Sequence, residues 1–299
     1  MLNATVLHWE PVHLLSAFTD PSLPPVLLRC AFAGAGLLLG SFLNVCIARL
    51  PAHRSVVHPG SHCPQCKSPV RAWQNIPLLS YGLLRGRCHS CRQRIPLRYP
   101  LVEAALAGLF LLCAWRMPGL LQAAEAAILC FLLLGLLFMD AETMRLPEAF
   151  TFPGIALGLL QSLLPDGGLI PALGLTRAAP FAVPTWPAPA RGVAGAVLAA
   201  GLLYGIRVLY FALRRREGMG LGDIKLAALL GAWLGVAGAA LSLMLGILLA
   251  ASWGAFQIFR SRENFGAARL PLGAFLCAGG LMTLFDGVPI LKWYFHFWR

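Results

Sequence analysis

Charge is scarce in this chain: only 12% of its 299 residues are Asp, Glu, Lys or Arg, and just 12 are acidic. An ordinary soluble domain is about one quarter charged, so that class is excluded. Two hydrolase signatures are also missing. Neither HExxH nor GxSxG occurs, which removes the usual zinc-hydrolase and serine-nucleophile readings. Residues 1–25 contain no Lys or Arg ahead of the first apolar run and carry scattered prolines, so a cleavable signal is not expected there.

What fills the chain is apolar. It is 58% hydrophobic with a mean hydropathy of +0.72, and several runs reach or approach the ~20 residues that cross a hydrocarbon core. The expected spans lie near 26–48, 100–116, 119–139, 150–165, 192–213, 224–239, 240–259 and 270–287. The fold class is therefore all-α, a polytopic integral membrane protein of about eight helices. Nine of the 24 basic residues fall between Arg49 and Arg98, and Lys and Arg in short loops are retained on the cytoplasmic side. Alternate connections then add Arg145, the group Arg214, Arg215, Arg216 and Lys225, and Arg260, Arg262 and Arg269 to that side. Both termini are expected outside. The formal charge of +12 is explained by this topology and by anionic lipid headgroups at the inner surface, not by nucleic acid.

Within the basic loop, Cys63-Pro-Gln-Cys66 and Cys88-His-Ser-Cys91 form two CxxC knuckles with the spacing of a tetrahedral four-thiolate zinc ribbon. Lys67, Arg87 and Arg92 favour thiolates. A pair of disulfides is the competing reading, disfavoured in a reducing compartment. Four thiolates leave a zinc no open position, so the metal is expected to be structural. Cys30, Cys46, Cys113, Cys130 and Cys277 stand singly in apolar runs and receive no role.

Acidic residues at membrane depth are functional candidates, and two stand out. Asp140 ends the run Phe131 to Met139, and Asp223 closes Gly218-Met-Gly-Leu-Gly-Asp223 and opens the next apolar run. The charge-based topology brings both to the same face. Glycines at 218, 220 and 222 permit close approach of a main chain. Two adjacent carboxylates do not both ionise cheaply, so one keeps its proton while the other activates water, the arrangement of an aspartyl protease. Taken alone, Asp140 reads equally well as a boundary cap or a partner for Arg145. Asp223 reads as a helix N-cap.

Gly218-Met-Gly-Leu-Gly-Asp223-Ile-Lys225 resembles the GxGD motif of the intramembrane aspartyl proteases in the form shown by type IV prepilin peptidases. Three further segments resemble the same family: Gly40-Ser-Phe-Leu-Asn through Arg49-Leu-Pro51, Asn75-Ile-Pro through Tyr81 with Leu84-Arg-Gly-Arg-Cys88, and Asp140 through Arg145-Leu-Pro-Glu148. The resemblance implies catalytic roles for Asp140 and Asp223 and zinc positions for Cys63, Cys66, Cys88 and Cys91. It further implies cleavage of the basic leader of type IV prepilins or type II secretion pseudopilins in the cytoplasmic (inner) membrane. N-methylation of the new terminus from S-adenosylmethionine follows on the same ground, since no GxGxxG fingerprint is present. Glu148 departs from the Asp usual at its position.

The domain reading places a short outer segment at 1–25, the first span with the four-cysteine zinc loop at 26–99, and the protease domain at 100–299, with a Pro- and Ala-rich outer loop at 166–191. Among smaller candidates, Glu103 reads as structural. Asn44 and Arg49 divide between substrate or lipid contact and anchoring, Lys225 between stabilising Asp223 and snorkelling, and Gly86 between methyl-donor approach and a turn. A transporter using the two aspartates for ions, or a non-catalytic zinc-dependent assembly factor, are the alternatives from other classes.

Overall fold

The computed structural model describes residues 25–63, 65–164, 168–169, 173, 175, 187–216, 219–261 and 270–297. The expected N-terminal segment up to residue 24, Gly218 and most of the 166–191 loop lie outside them. Among the described residues there are seven long helices: α1 (Pro25–Arg49), α2 (Arg98–Arg116), α3 (Leu120–Thr143), α4 (Glu148–Gln161), α5 (Ala188–Arg214), α6 (Leu221–Ser261) and α7 (Leu272–Phe297). Among the described residues there is no strand beyond isolated bridges. The protein is thus an all-helical, polytopic membrane protein.

Six of the helices are long and apolar enough to cross a membrane, where the sequence suggested about eight spans. Two causes account for the difference. The run 150–165 forms α4, which has 14 residues and at 1.5 Å per residue covers about 21 Å, short of a ~30 Å core. The runs 224–239 and 240–259 are joined without a loop in α6, divided at Gly235 (φ 67°, ψ −175°), and the part before it, residues 221–234, is as short as α4. That conformation is essentially confined to glycine. Side chains along α7 show what the interruption does. Leu230 lies against Gly280 and Leu241 against Gly287, but then Leu276 lies against Gly246 and Leu270 against Gly254. The chain therefore ascends α7 over 221–234 and descends it over 236–261, so Gly235 is a reversal.

Small residues let the backbones meet. A Cβ on Gly36 would fall 2.7 Å from the Ala107 Cα, and one on Gly40 would fall 2.8 Å from the Glu103 Cα, which makes Gly36-x-x-x-Gly40 the contact stripe between antiparallel α1 and α2. Buried Cys113 and Cys130, with Sγ atoms 3.7 Å apart, set the register of α2 against α3. The short helices α4 and the first half of α6 run side by side in the same direction. Trp233 Nε1 donates to the Gly154 carbonyl at 2.8 Å, and Leu229 covers Gly154. Trp233 joins Leu133, Leu136 and Met139 of α3 in the buried centre.

Candidate active site

Asp140 lies one turn before the end of α3, which stops where Met144 turns left-handed (φ 51°) and returns its N–H to the Asp140 carbonyl at 2.8 Å. Asp223 is the third residue of α6. It is therefore inside the first turn and not the residue that caps it. Both side chains line one cleft of about 510 Å³, together with Leu50, Pro51, His53, Arg145, Leu146 and Glu148. The two aspartates expected from sequence, 83 positions apart, thus share a site.

Three helices begin at this cleft, because Glu148, Gly222 with Asp223, and Leu272 all line it. Helix N-termini present unsatisfied N–H groups and a partial positive charge. One such donor is used directly: the Ala274 N–H donates to Asp140 Oδ2 at 2.8 Å. The neighbouring Gly273 keeps this approach open. A Cβ there would stand 3.0 Å from the same oxygen and 3.0 Å from Leu146 Cδ1. Asp140 is 5% exposed and Asp223 partly exposed, so the first is held in the wall and the second stands nearer the opening.

Gly220 and Gly222 are absent from the left-handed region. Gly222 permits close packing, since a Cβ would meet Leu146 Cβ at 3.1 Å, whereas one on Gly220 would be in ordinary contact with Asp223 Oδ2 at 3.7 Å. Gly218 lies outside the described residues. Arg145 is not the partner of Asp140; its Nη1 reaches the Pro51 carbonyl at 3.3 Å and ties the end of α1 to the cleft rim. Glu148 and Lys225 form an ion pair joining α4 to α6, with the Lys225 ammonium 4.8 Å from the Phe152 ring centre. Sequence reasoning missed Leu270 through Ala274 and Leu50 through His53. The first is an uncharged stretch at the start of an apolar run, and nothing in its composition separates it from an ordinary span.

The loop between α1 and α2 brings Cys63, Cys66, Cys88 and Cys91 together, all four sulfurs within 4.8 Å of one another. The two knuckles are near copies. Cys63 N–H bonds to Ser68 O and Lys67 N–H to Cys63 O; Cys88 N–H bonds to Gln93 O and Arg92 N–H to Cys88 O. Lys67 and Arg92 occupy the same left-handed position in each. Across the pair, Cys63 Sγ lies 3.8 Å from Cys91 Sγ and Cys66 Sγ 4.0 Å from Cys88 Sγ. Sulfurs ~2.3 Å from a tetrahedral zinc stand about 3.8 Å apart, so the donor set fits that ion. The cysteines are free thiols and not the disulfides of the competing reading. The Ser68 hydroxyl and amide bring the Cys66 thiol down to about 6. At Cys91 the Gln93 amide pulls downward, but partial desolvation and the adjoining sulfurs push the thiol up to about 11. Holding all four as thiolates at this spacing would take a cation among them.

The loop is fixed to the bundle by groups whose roles were open. Leu78 N–H donates to Glu103 Oε2 at 2.9 Å, Asn44 Nδ2 donates to the Tyr99 carbonyl at 3.0 Å, and Arg49 donates to the Ser55 and Gly60 carbonyls. Asn44 is buried and serves this packing. Gly86, at φ +65° against the Tyr81 ring, makes the turn before the second knuckle.

Comparison with known proteins adds a family. Residues 35–117 match the Bacterial Peptidase A24 N-terminal domain and residues 127–255 the Type IV leader peptidase family. The chain is 36% identical over 277 residues to the prepilin leader peptidase/N-methyltransferase of Pseudomonas putida, covering 85% of this chain and 89% of that one. It is 39% identical over 225 residues to the protein of that name from Neisseria gonorrhoeae, covering 67% and 72%. It is 37% identical over 292 residues to that of Burkholderia pseudomallei (strain 1026b), covering 89% and 88%. No solved structure matches the chain.

Proposed function

Because the chain belongs to the type IV leader peptidase family, and is a leader peptidase/N-methyltransferase by that membership, we propose that it removes the basic leader of type IV prepilins or type II secretion pseudopilins by an aspartyl mechanism. The observation that carries the mechanism is the meeting of Asp140 and Asp223 in one cleft. With Ala274 N–H already on its Oδ2, Asp140 suits the ionised role. Asp223, nearer the opening, suits the protonated one. Asp140 takes a proton from water, whose oxygen attacks the scissile carbonyl, while Asp223 gives its proton to the carbonyl oxygen. Collapse of the gem-diol returns a hydroxyl proton to Asp223 and breaks the C–N bond, and the departing amine takes the proton held by Asp140, which restores both carboxyl groups. The converging helix N-termini favour the negative charge that develops.

The substrate's apolar helix would lie in the bilayer and its leader on the side of the cleft and the cysteine loop, which we assign to the cytoplasm on the distribution of basic residues, in the bacterial inner membrane. Cys63, Cys66, Cys88 and Cys91 would hold a structural zinc, which supplies a cross-link between the two knuckles. For the methyl donor, expected to be S-adenosylmethionine, the described residues contain no glycine-rich strand-to-helix turn. Methyl transfer therefore rests on family membership, and no residue is assigned to it.

The reading is tested by incubating a prepilin with the membrane-embedded enzyme and weighing the products, where the leader peptide and a shortened, methylated pilin are the expected masses. An unchanged prepilin would refute it. Two variants refine the geometry. Gly273→Ala crowds Asp140 Oδ2 and is expected to lower kcat by up to ~10²-fold, the cost of small displacements at a reacting centre, with KM little changed. Glu148→Gln removes the ion pair to Lys225. Since exposed pairs contribute ~0–1 kcal/mol, cleavage is expected to stay within about fivefold, which separates this carboxylate from the catalytic two.

A further inference from the structure

The stretch from residue 72 to 84, inside the cysteine loop, carries an apolar face that the rest of the described protein leaves largely open, with His89 against one edge of Trp73. Trp73, Ile76, Leu79 and Leu83 are all exposed, Leu79 at 57% and Leu83 at 68%. A loop in water would not ordinarily display four such side chains within eleven positions, and contiguous exposed apolar surface marks an interaction site.

The depth of this stretch follows from its attachments. Leu78 N–H is bonded to Glu103 Oε2, and Asn75 lies against Ser41. In the register set by Cys113 beside Cys130, Glu103 is ten positions from the first and Asp140 ten from the second, both toward the cleft. Glu103 and Asp140 are thus level, and the segment sits at the depth of the two aspartates. Ser41 is likewise eight positions inside the end of α1, about 12 Å along its axis. The short helix Leu79–Leu83 therefore rests against the spans at the edge of the hydrocarbon layer.

Charge around it is of one sign. No acidic residue occurs between Asp20 and Glu103, while Arg54, Lys67, Arg71, Arg85, Arg87, Arg92 and Arg94 are all present and exposed. None of the seven takes part in an ion pair among the described residues. An apolar face at interfacial depth flanked by unpaired cations has the pattern of a surface that seats anionic lipid. A basic leader peptide would be repelled from it.

We propose that this face is a seat for anionic phospholipid of the leaflet that contains the cleft, with acyl chains on Trp73, Ile76, Leu79 and Leu83 and headgroup phosphates on Arg71, Arg85 and Arg87. The seat fixes the height of the cysteine loop, and through Leu50 to His53 the height of the cleft rim, relative to the membrane. It depends on the chain's spanning a bilayer and not on the peptidase reading.

The test uses the full-length protein in nanodiscs of phosphatidylcholine and phosphatidylglycerol, with bromine placed near the headgroup end of the acyl chains of one lipid or the other. The emission of Trp73 is taken as the difference between the unaltered protein and Trp73→Phe. Brominated phosphatidylglycerol is expected to quench most of that emission and brominated phosphatidylcholine distinctly less. The triple variant Arg71→Gln, Arg85→Gln, Arg87→Gln, its bound metal measured to show an intact loop, is expected to lose the difference between the two lipids. Trp73 emission untouched by either lipid would mean that the face meets water or another protein, and would overturn the proposal. Equal quenching by both lipids in the unaltered protein would overturn the assignment to anionic headgroups.

Discussion

Asp140→Asn and Asp223→Asn are each expected to leave a folded, membrane-inserted protein that cuts prepilin at least ~10²-fold more slowly, the scale of losing a positioned acid or base. Asn keeps the volume of Asp and still accepts a hydrogen bond, so the Ala274 N–H on Asp140 Oδ2 retains a partner and the α3 to α7 contact survives. What is lost is the ability to take up or deliver a proton. The double variant should be little worse than either single one, because the two carboxylates act as one unit and such effects are not additive. Mass analysis of the prepilin after incubation reads the outcome, with span integrity checked by thermal unfolding in detergent. A single Asn variant that cleaves normally would remove the aspartyl mechanism. It would also return weight to an ion-binding role for the pair.

Much of this site is legible in the sequence for identifiable reasons. Asp140 and Asp223 stand out because charge is so rare that a carboxylate at the end of an apolar run has no bland background to hide in. The two knuckles are equally visible, since two thiols in one turn is a local pattern and needs no knowledge of the fold. The reversal inside α6 is not visible in the same way. Gly235 is one of 31 glycines, and whether a glycine bends or merely packs depends on neighbours such as Gly195 that are remote in the chain. The support under Asp140 is hidden for a related reason. Ala274 contributes through its backbone, and a backbone N–H leaves no trace in residue identity. Gly222 is used for close packing against Leu146, and residue type alone does not say which neighbour a glycine admits. Residue type reports reliably on chemistry carried by side chains and poorly on geometry carried by the main chain.

Removing the metal should have the second largest effect, and it should reach the cleft. The described residues of the cysteine loop contain no strand and few apolar side chains buried by the loop's own fold, so a zinc held by Cys63, Cys66, Cys88 and Cys91 would be what holds its two halves together. Purified protein is expected to carry about one zinc per chain, and Cys63→Ser or Cys88→Ser to carry almost none. Without the cation, four sulfurs within 4.8 Å must share protons, because Cys66 ionises near 6 while Cys91 is pushed up to about 11, and the knuckles separate. Trp73, which packs edge-on against His89 beside the second knuckle at 5.6 Å between ring centres, should then change its emission and provide a local signal. The same chain runs back through Gly60 and Ser55, held by Arg49, to Leu50, Pro51 and His53 in the wall of the cleft. Chelation is therefore expected to slow prepilin cleavage alongside the Trp73 change, with zinc restoring both, while α3, α6 and α7 keep their helicity. Full cleavage by metal-free protein would show that the rim is held by Arg145 on the Pro51 carbonyl alone, and that the zinc serves the loop without serving the cleft.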